Sequence, residues 1–327
     1  MKRILASLAV LILPSTLWAA CTGVDLRTSL SPQDRKEIEQ RFDQIPNATG
    51  NHWIARRGDR TVHVVGTLHI NDPRMTAKAK ALETVIASAN LLLLEVTPED
   101  KRAFERELSQ SPELTLITDG PSLIDRLQPE EWDALAETML RNGIPPWMGA
   151  KMRPWFLTLS MAFPPCLRET EDVQYGMDMR LAEIAEASLI PMQSLEDAMT
   201  IVHVMNDDPL EEQIRYLPAM IAMLGSSENN MFTTTATYFD EQAIYSLLLS
   251  EQEHLFGNPP PDPDFKDAWH KSMGLLIDQR NRDWIPVIEA AEGNKIVVAV
   301  GALHLQGEVG VLNLLEQQGY TLERAPF

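Results

Sequence analysis

The chain predicts an α/β fold: a central, largely parallel or mixed sheet made from two strand–helix–strand half-repeats, with a large helical insert between them. Three observations carry that expectation. The tetrapeptide Gly66-Thr67-Leu68-His69 returns near the other end as Gly301-Ala302-Leu303-His304, each copy following a β-branched apolar run, Val62–Val65 and Ile296–Val300. Leu91 to Leu94 is an unbroken apolar run of strand length, the pattern of a strand covered on both faces. Strand, helix and strand between Val62 and Val96 form a βαβ unit, whose crossover is expected to be right-handed.

Residues 1–19 have the order of an export signal. Lys2 and Arg3 are followed by the apolar stretch Ile4 to Leu13 and by the small-residue region Pro14 to Ala20, with cleavage expected after Ala19. The stretch is too short to span a bilayer, and no later segment nears the roughly 20 apolar residues needed. A periplasmic or secreted address follows. Lipid anchoring at Cys21 is the rival, and Trp18 stands where that signal takes a Leu-like residue. The two cysteines, Cys21 and Cys166, would bridge in an oxidising compartment. The formal charge of −19 becomes about −21 once Lys2 and Arg3 are removed. So acidic a balance argues against nucleic acid and anionic membrane surfaces as partners.

Residues 20–50 form a polar leader. Its one helix is expected at Pro32–Phe42, where Ser31 offers a capping hydroxyl and Pro32 takes the first helical position. The main domain, 51–327, opens with strands at His52–Arg56 and Thr61–Val65 around a Gly58-Asp59 hairpin turn. After His69 comes a helix over Thr76–Ser88, apolar at Met75, Ala79, Leu82 and Ile86, and then a strand over Leu91–Val96. The insert, roughly 100–290, is mostly helical. Helices are expected at Ser122–Leu127, Pro129–Asn142, Asp178–Ala187, Leu210–Leu224, Thr234–Glu251 and Asp262–Asp283. Pro154–Met161 is an apolar segment, Leu189–Met192 a short strand, and Asn258–Pro263 a proline-rich loop. The second half-repeat closes the chain: strand Ile296–Val300, helix Gly310–Gln318, strand Tyr320–Arg324.

His69, Glu95 and His304 each fall at or just past the C-terminal end of an expected core strand, the edge at which open α/β sheets bind ligands. A lone histidine in such a place is ordinarily structural; repetition at matched places points to function. Two imidazoles and a carboxylate suit a divalent metal and leave a position open for water, which the metal would activate. Glu95 after four leucines is costly to bury without a partner, and a salt bridge with Arg280 is the structural alternative. Gly66 and Gly301 allow the chain to turn beside these residues. Asp178 opens a helix, where a capping role competes with a site role. Glu196 follows a strand and can reach the same edge. Arg280, next to Asn281, could hold a developing oxyanion. His52, His63, His203, His254 and His270 have no partner motif and are taken as structural. H-E-x-x-H, G-x-S-x-G, C-x-x-C and P-loop signatures are all absent.

From about Asn51 to Pro326 the chain resembles the TraB/GumN family, which is related to the Tiki metalloproteases and more distantly to erythromycin esterase and ChaN-like proteins. The matching pieces are Gly66-Thr67-Leu68-His69, Glu95, Tyr175-Gly176-Met177-Asp178, Glu196, Arg280-Asn281 and the stretch from Gly301 to Leu315 with Glu308. The resemblance implies a metal-dependent hydrolase with His69 and His304 as paired metal-binding histidines. Glu95 would be the catalytic carboxylate, with metal ligation as the rival role. Manganese, cobalt or zinc would be the cofactor, and a peptide or a small molecule the substrate. Two alternatives stay open: a non-catalytic metal- or haem-binding protein, and a metal-free esterase-like hydrolase with His69 or His304 as base.

Overall fold

The computed structural model describes residues 23–168, 175–224, 227–251 and 263–327. The expected signal at 1–19, Cys21, His254 and nearly all of the proline-rich loop lie outside the described residues.

Six strands form one mixed sheet: β1 (His52–Arg57), β2 (Arg60–Thr67), β3 (Leu91–Leu94), β4 (Met192–Ser194), β5 (Lys295–Gly301) and β6 (Thr321–Arg324). Their order is β4-β3-β5-β2-β1-β6. β4, β3, β5 and β2 run parallel; β1 is antiparallel to both β2 and β6. The β1–β2 hairpin closes with Arg57 opposite Arg60, and Gly58 at its turn takes φ +60°, a conformation open to a residue without Cβ.

The parallel strands are apolar on both faces because helices cover both. Val62, Val64, Leu91, Leu93, Ile296 and Val298 pack on one side against Trp284, Ile288, Leu312 and Leu315. Val65, Leu92, Leu94, Val297 and Ala299 pack on the other against Met75, Leu82, Ile86 and Leu181. Alternate side chains of one strand thus enter two separate cores. Each fully buried aliphatic contributes roughly 1.5–3 kcal/mol.

Most helices stand where the sequence puts them, within a residue or two at each end. In the leader, the Ser31 hydroxyl accepts from the Asp34 amide at the start of the Pro32–Phe42 helix. Three segments differ. The strand expected at Leu189–Met192 forms at Met192–Ser194 instead, because Leu189 is exposed and turns at φ +57°. The helix expected at Thr234–Glu251 is two helices, Ser227–Phe239 and Ala243–Ser250. Glu241 breaks it at φ +59°, and its carbonyl accepts from Gly50. Between Pro263 and Ala290 the helix widens into a π turn over Gly274–Gln279. No helix among the described residues is long and apolar enough to cross a membrane.

Candidate functional site

Four adjacent parallel strands each deliver one polar residue to the same edge. Glu196 follows β4, Glu95 follows β3, His304 follows β5 and His69 follows β2. Their assembly at one edge is a consequence of parallel strands ending together.

The two repeated tetrapeptides are not equivalent. Gly66 pairs with Val300 and Thr67 with Gly301, so the copies are one residue out of register. After β5 the chain winds into a 3-10 turn over Ala302–His304. His304 is consequently buried, with 5% of its side chain exposed, whereas His69 keeps 55%. A Cβ on Gly66 would come within 3.0 Å of Ala302 Cβ, so this glycine serves the packing of the 3-10 turn.

Each imidazole has its Nδ1 tied down and its Nε2 turned toward Glu95. His69 Nδ1 lies 3.1 Å from Asp178 Oδ1, and its Nε2 4.0 Å from Glu95 Oε1. His304 Nδ1 lies 2.7 Å from Asn281 Oδ1, and its Nε2 3.9 Å from the same Glu95 oxygen. Asp178 reaches His69 because Gly176 lets a helix start touch a strand end. A Cβ there would fall 2.3 Å from Leu68 O and 2.6 Å from His69 Cα, while the Met177 amide donates to Leu68 O. Asp178 also sits in the first turn of the Met177–Ala187 helix, where a carboxylate is favoured.

Arg280 is the hub behind these groups. Its Nη2 donates to Glu95 Oε2 at 2.6 Å and to Glu196 Oε1 at 2.5 Å, and its Nε to both Glu196 oxygens at 3.0 Å. Nη1 donates to Leu276 O at 2.9 Å and faces His304 Nε2 at 3.3 Å. The structural alternative for Glu95, a bridge to Arg280, is therefore present. Glu95 Oε1 also accepts from the Gly301 amide at 2.6 Å. The π turn immediately precedes Arg280 and supplies the Leu276 carbonyl; such turns recur at functional sites.

These contacts set the charges. Burial resists ionisation of Glu95, but the neighbouring His304, His69 and Arg280 charges and the Gly301 amide hold its pKa down at about 2. Burial pushes His304 down to about 4, so near neutrality its ring is uncharged and Arg280 is the fixed cation beside Glu95. Burial also opposes a charged His69, yet pairing with Asp178 and the charge of Glu95 win, raising it to about 9. Burial weakens Arg280 as a cation, and Glu196 and Glu95 outweigh that and raise its pKa.

A cavity of about 460 Å³ opens onto the cluster, with His69, Glu95, Asp178 and Lys101 among its lining residues. Arg280 does not line it, and every N–H of its guanidinium faces an acceptor in the cluster. Arg280 contacts Glu95, Glu196 and His304 rather than the cavity. Glu308 is exposed and makes no ion pair among the described residues; only its carbonyl is engaged, by Asn313. Trp284 escaped the sequence reading. Its ring packs on His304 with centroids 4.5 Å apart, and its Nε1 donates to Glu196 Oε2 at 3.3 Å. Its position four residues after Arg280, on the same helix face, was the available signal. His52 and His63, taken as structural, pair with each other at 3.0 Å, and burial holds both pKa values below the ordinary value.

Among the described residues, no group of three or more His, Cys, Asp or Glu is arranged to hold a metal ion as it stands. The 3.9–4.0 Å from Glu95 Oε1 to the two nitrogens exceeds the roughly 3.4 Å that tetrahedral ligands at ordinary bond lengths would show. Donor chemistry and space do fit. Two imidazoles with anchored Nδ1 atoms are typical of metal ligands. A Cβ on Gly301 would lie 3.2 Å from Glu95 Oε1, 3.5 Å from His304 Cδ2 and 3.9 Å from His69 Nε2, so its absence leaves room at the centre of the cluster.

The model of the TraB/PrgY/gumN family matches residues 51–324. The chain belongs to that family. A TraB-family relative, YbaP of Escherichia coli (strain K12), is 25% identical over 276 residues, covering 81% of this chain and 94% of its own. YbaP of Shigella flexneri matches to the same extent. The TraB/PrgY/gumN match spans every residue of the cluster, from His69 to His304.

Proposed function

We propose that this TraB-family protein is an exported, metal-dependent hydrolase that cleaves amide bonds, in the manner of a peptidase. One observation carries the proposal: two imidazole Nε2 atoms face a single carboxylate oxygen of Glu95, each ring being anchored through Nδ1. His69, His304 and Glu95 would hold the cation. Bound there, it would supply a water of near-neutral pKa and polarise the scissile carbonyl.

The protein's own groups do the rest. Asp178 and Asn281 aim the two rings. Arg280 keeps Glu95 ionised and fixed. A carboxyl held at about 2 is a poor proton acceptor near neutrality, so Glu95 suits the role of anionic ligand better than that of base. The cleft admits substrate on the side of His69, the exposed imidazole. Three carboxylates, Glu95, Glu196 and Asp178, face the cations Arg280 and His69, and the surplus negative charge favours a divalent ion.

Elemental analysis of the purified mature protein against a His69→Ala/His304→Ala double variant tests this, together with hydrolysis of a peptide library with and without chelator. Metal in the wild type alone and chelator-sensitive cleavage are expected. Undiminished cleavage in chelator would refute the metal requirement. Such a result would favour a second reading, for which Arg280 facing His304 Nε2 at 3.3 Å is the specific support. There His69 or His304 is the base of a metal-free hydrolase, His69 only at a pH near or above its pKa of about 9.

A further inference from the structure

The 460 Å³ cavity has an unlike lining. Its polar residues are His69, Glu95, Asp178 and Lys101. The rest of the lining is apolar, and much of it comes from three helices of the insert: Phe104 from Pro98–Gln110, Trp155, Phe156 and Leu159 from Pro154–Ala162, and Ile201 from Met199–Asp207. The volume lies within the range of about 300–1,000 Å³ typical of small-molecule sites. Leu159 is half exposed, although the same helix buries Leu157 and Met161 completely.

We infer that this cleft is the apolar substrate pocket of the site: the substrate is an amide bearing a long or bulky apolar group beside the scissile bond. The apolar group lies along Phe104, Phe156, Leu159 and Ile201, and the carbonyl comes to rest at His69 and Glu95. This assignment of the occupant as substrate rests on the hydrolase reading. Continuity decides it, since the residues that would do chemistry and the apolar wall bound one cavity. A small polar substrate would leave most of that wall wet. An apolar chain filling it removes both surfaces from water, worth about 0.8 kcal/mol per methylene, or about fourfold in affinity.

The probes are N-butanoyl-, N-hexanoyl- and N-octanoyl-glycinamide, titrated calorimetrically into the full mature protein in chelator, where no turnover is needed. Affinity is expected to rise about two orders of magnitude from butanoyl to octanoyl. Leu159→Arg should weaken octanoyl at least tenfold while changing butanoyl little; Ile201→Ala is a milder second variant should the first fold poorly. Affinity independent of chain length, or an octanoyl affinity untouched by both variants, would overturn the inference. A preserved chain-length trend without any hydrolysis once metal is restored would refute the hydrolase reading and leave the apolar pocket standing.

Discussion

Asn281 Oδ1 and His304 Nδ1 stand 2.7 Å apart in the buried centre of the site. The neighbouring Arg280 fixes what that contact means. An arginine can only donate, so His304 Nε2, 3.3 Å from Nη1, accepts, and the ring's proton resides on Nδ1 and is donated to Asn281. Two consecutive residues of one helix therefore set both the orientation and the tautomer of His304. The one lone pair of Nε2, which Arg280 Nη1 engages here, is the one a cation would need.

Asn281→Ala removes the acceptor and leaves a buried N–H unpaired. A loss of about 1–3 kcal/mol in urea unfolding is expected, with metal affinity falling about 10–100-fold as the ring loses its anchor. Equilibrium unfolding and metal titration on the same variant measure the two effects. Wild-type metal affinity in the variant would show that His304 does not bind through an Asn281-held ring.

Arg280 is held by two carboxylates, with only 7% of its side chain exposed. Arg280→Met leaves Glu95 and Glu196 buried without their cation, and a loss of about 3–5 kcal/mol is expected. Arg280→Met/Glu196→Gln should recover part of it by removing one stranded charge. Denaturant unfolding of the two variants decides the point, since a double variant no more stable than the single would mean that Glu196 is not a stranded partner.

The strand-end positions of His69, Glu95 and His304 were legible in the sequence because a parallel strand has a local signature, an apolar run closed by glycine or a polar residue. The repeat around Gly66 and Gly301 located two central strands, but their pairing out of register, and with it the unequal burial of the histidines, depends on the 3-10 turn after Gly301. The Pro98–Gln110 helix has its signals in the sequence, in Thr97, whose hydroxyl caps it, and in Pro98. The Met199–Asp207 helix was not readable. Its Thr200, Ile201, Val202 and Val204 favour strands locally, and packing of Met199 and Val202 around Trp155 overrides that preference. The cleft wall was invisible for a similar reason: Phe104, Trp155 and Ile201 come from three separate helices and meet only in the folded chain.

His69 carries its proton at neutral pH, with a pKa of about 9, whereas His304 does not, with a pKa of about 4. Loading a divalent cation at pH 7 should therefore release close to one proton, from His69, and affinity should climb with pH until about 9. Asp178→Asn should lower both the pKa and the proton release. The stability signs follow from the same shifts. The contribution of His69 is complete below its ordinary value of 6.5 and is lost as pH rises through 9. That of His304 is complete above 6.5 and is lost as pH falls toward 4. Calorimetry in two buffers of different ionisation enthalpy counts the protons; a wild-type count of zero would refute a protonated His69.

The remaining expectation concerns Cys166 and the start of the mature chain. Gly23 sits so close to the Ser227–Phe239 helix that a Cβ on it would fall 2.4 Å from the Glu228 carbonyl oxygen. Cys166 Sγ lies 3.8 Å from the carboxylate of the same Glu228. One helical residue thus borders both Cys166 and Gly23, which follows Cys21 by two places. We propose a Cys21–Cys166 bridge in the exported protein, formed once cleavage after Ala19 has freed the chain. It would close a long loop and stabilise by about 2–4 kcal/mol. Intact mass after alkylation under non-reducing conditions should show a chain beginning at Ala20 with no alkyl adducts, and two adducts after reduction. Cys166→Ser should lower the melting temperature of the oxidised protein and leave that of the reduced protein nearly unchanged. An N-terminal lipid on Cys21, or two adducts without reduction, would eliminate the bridge.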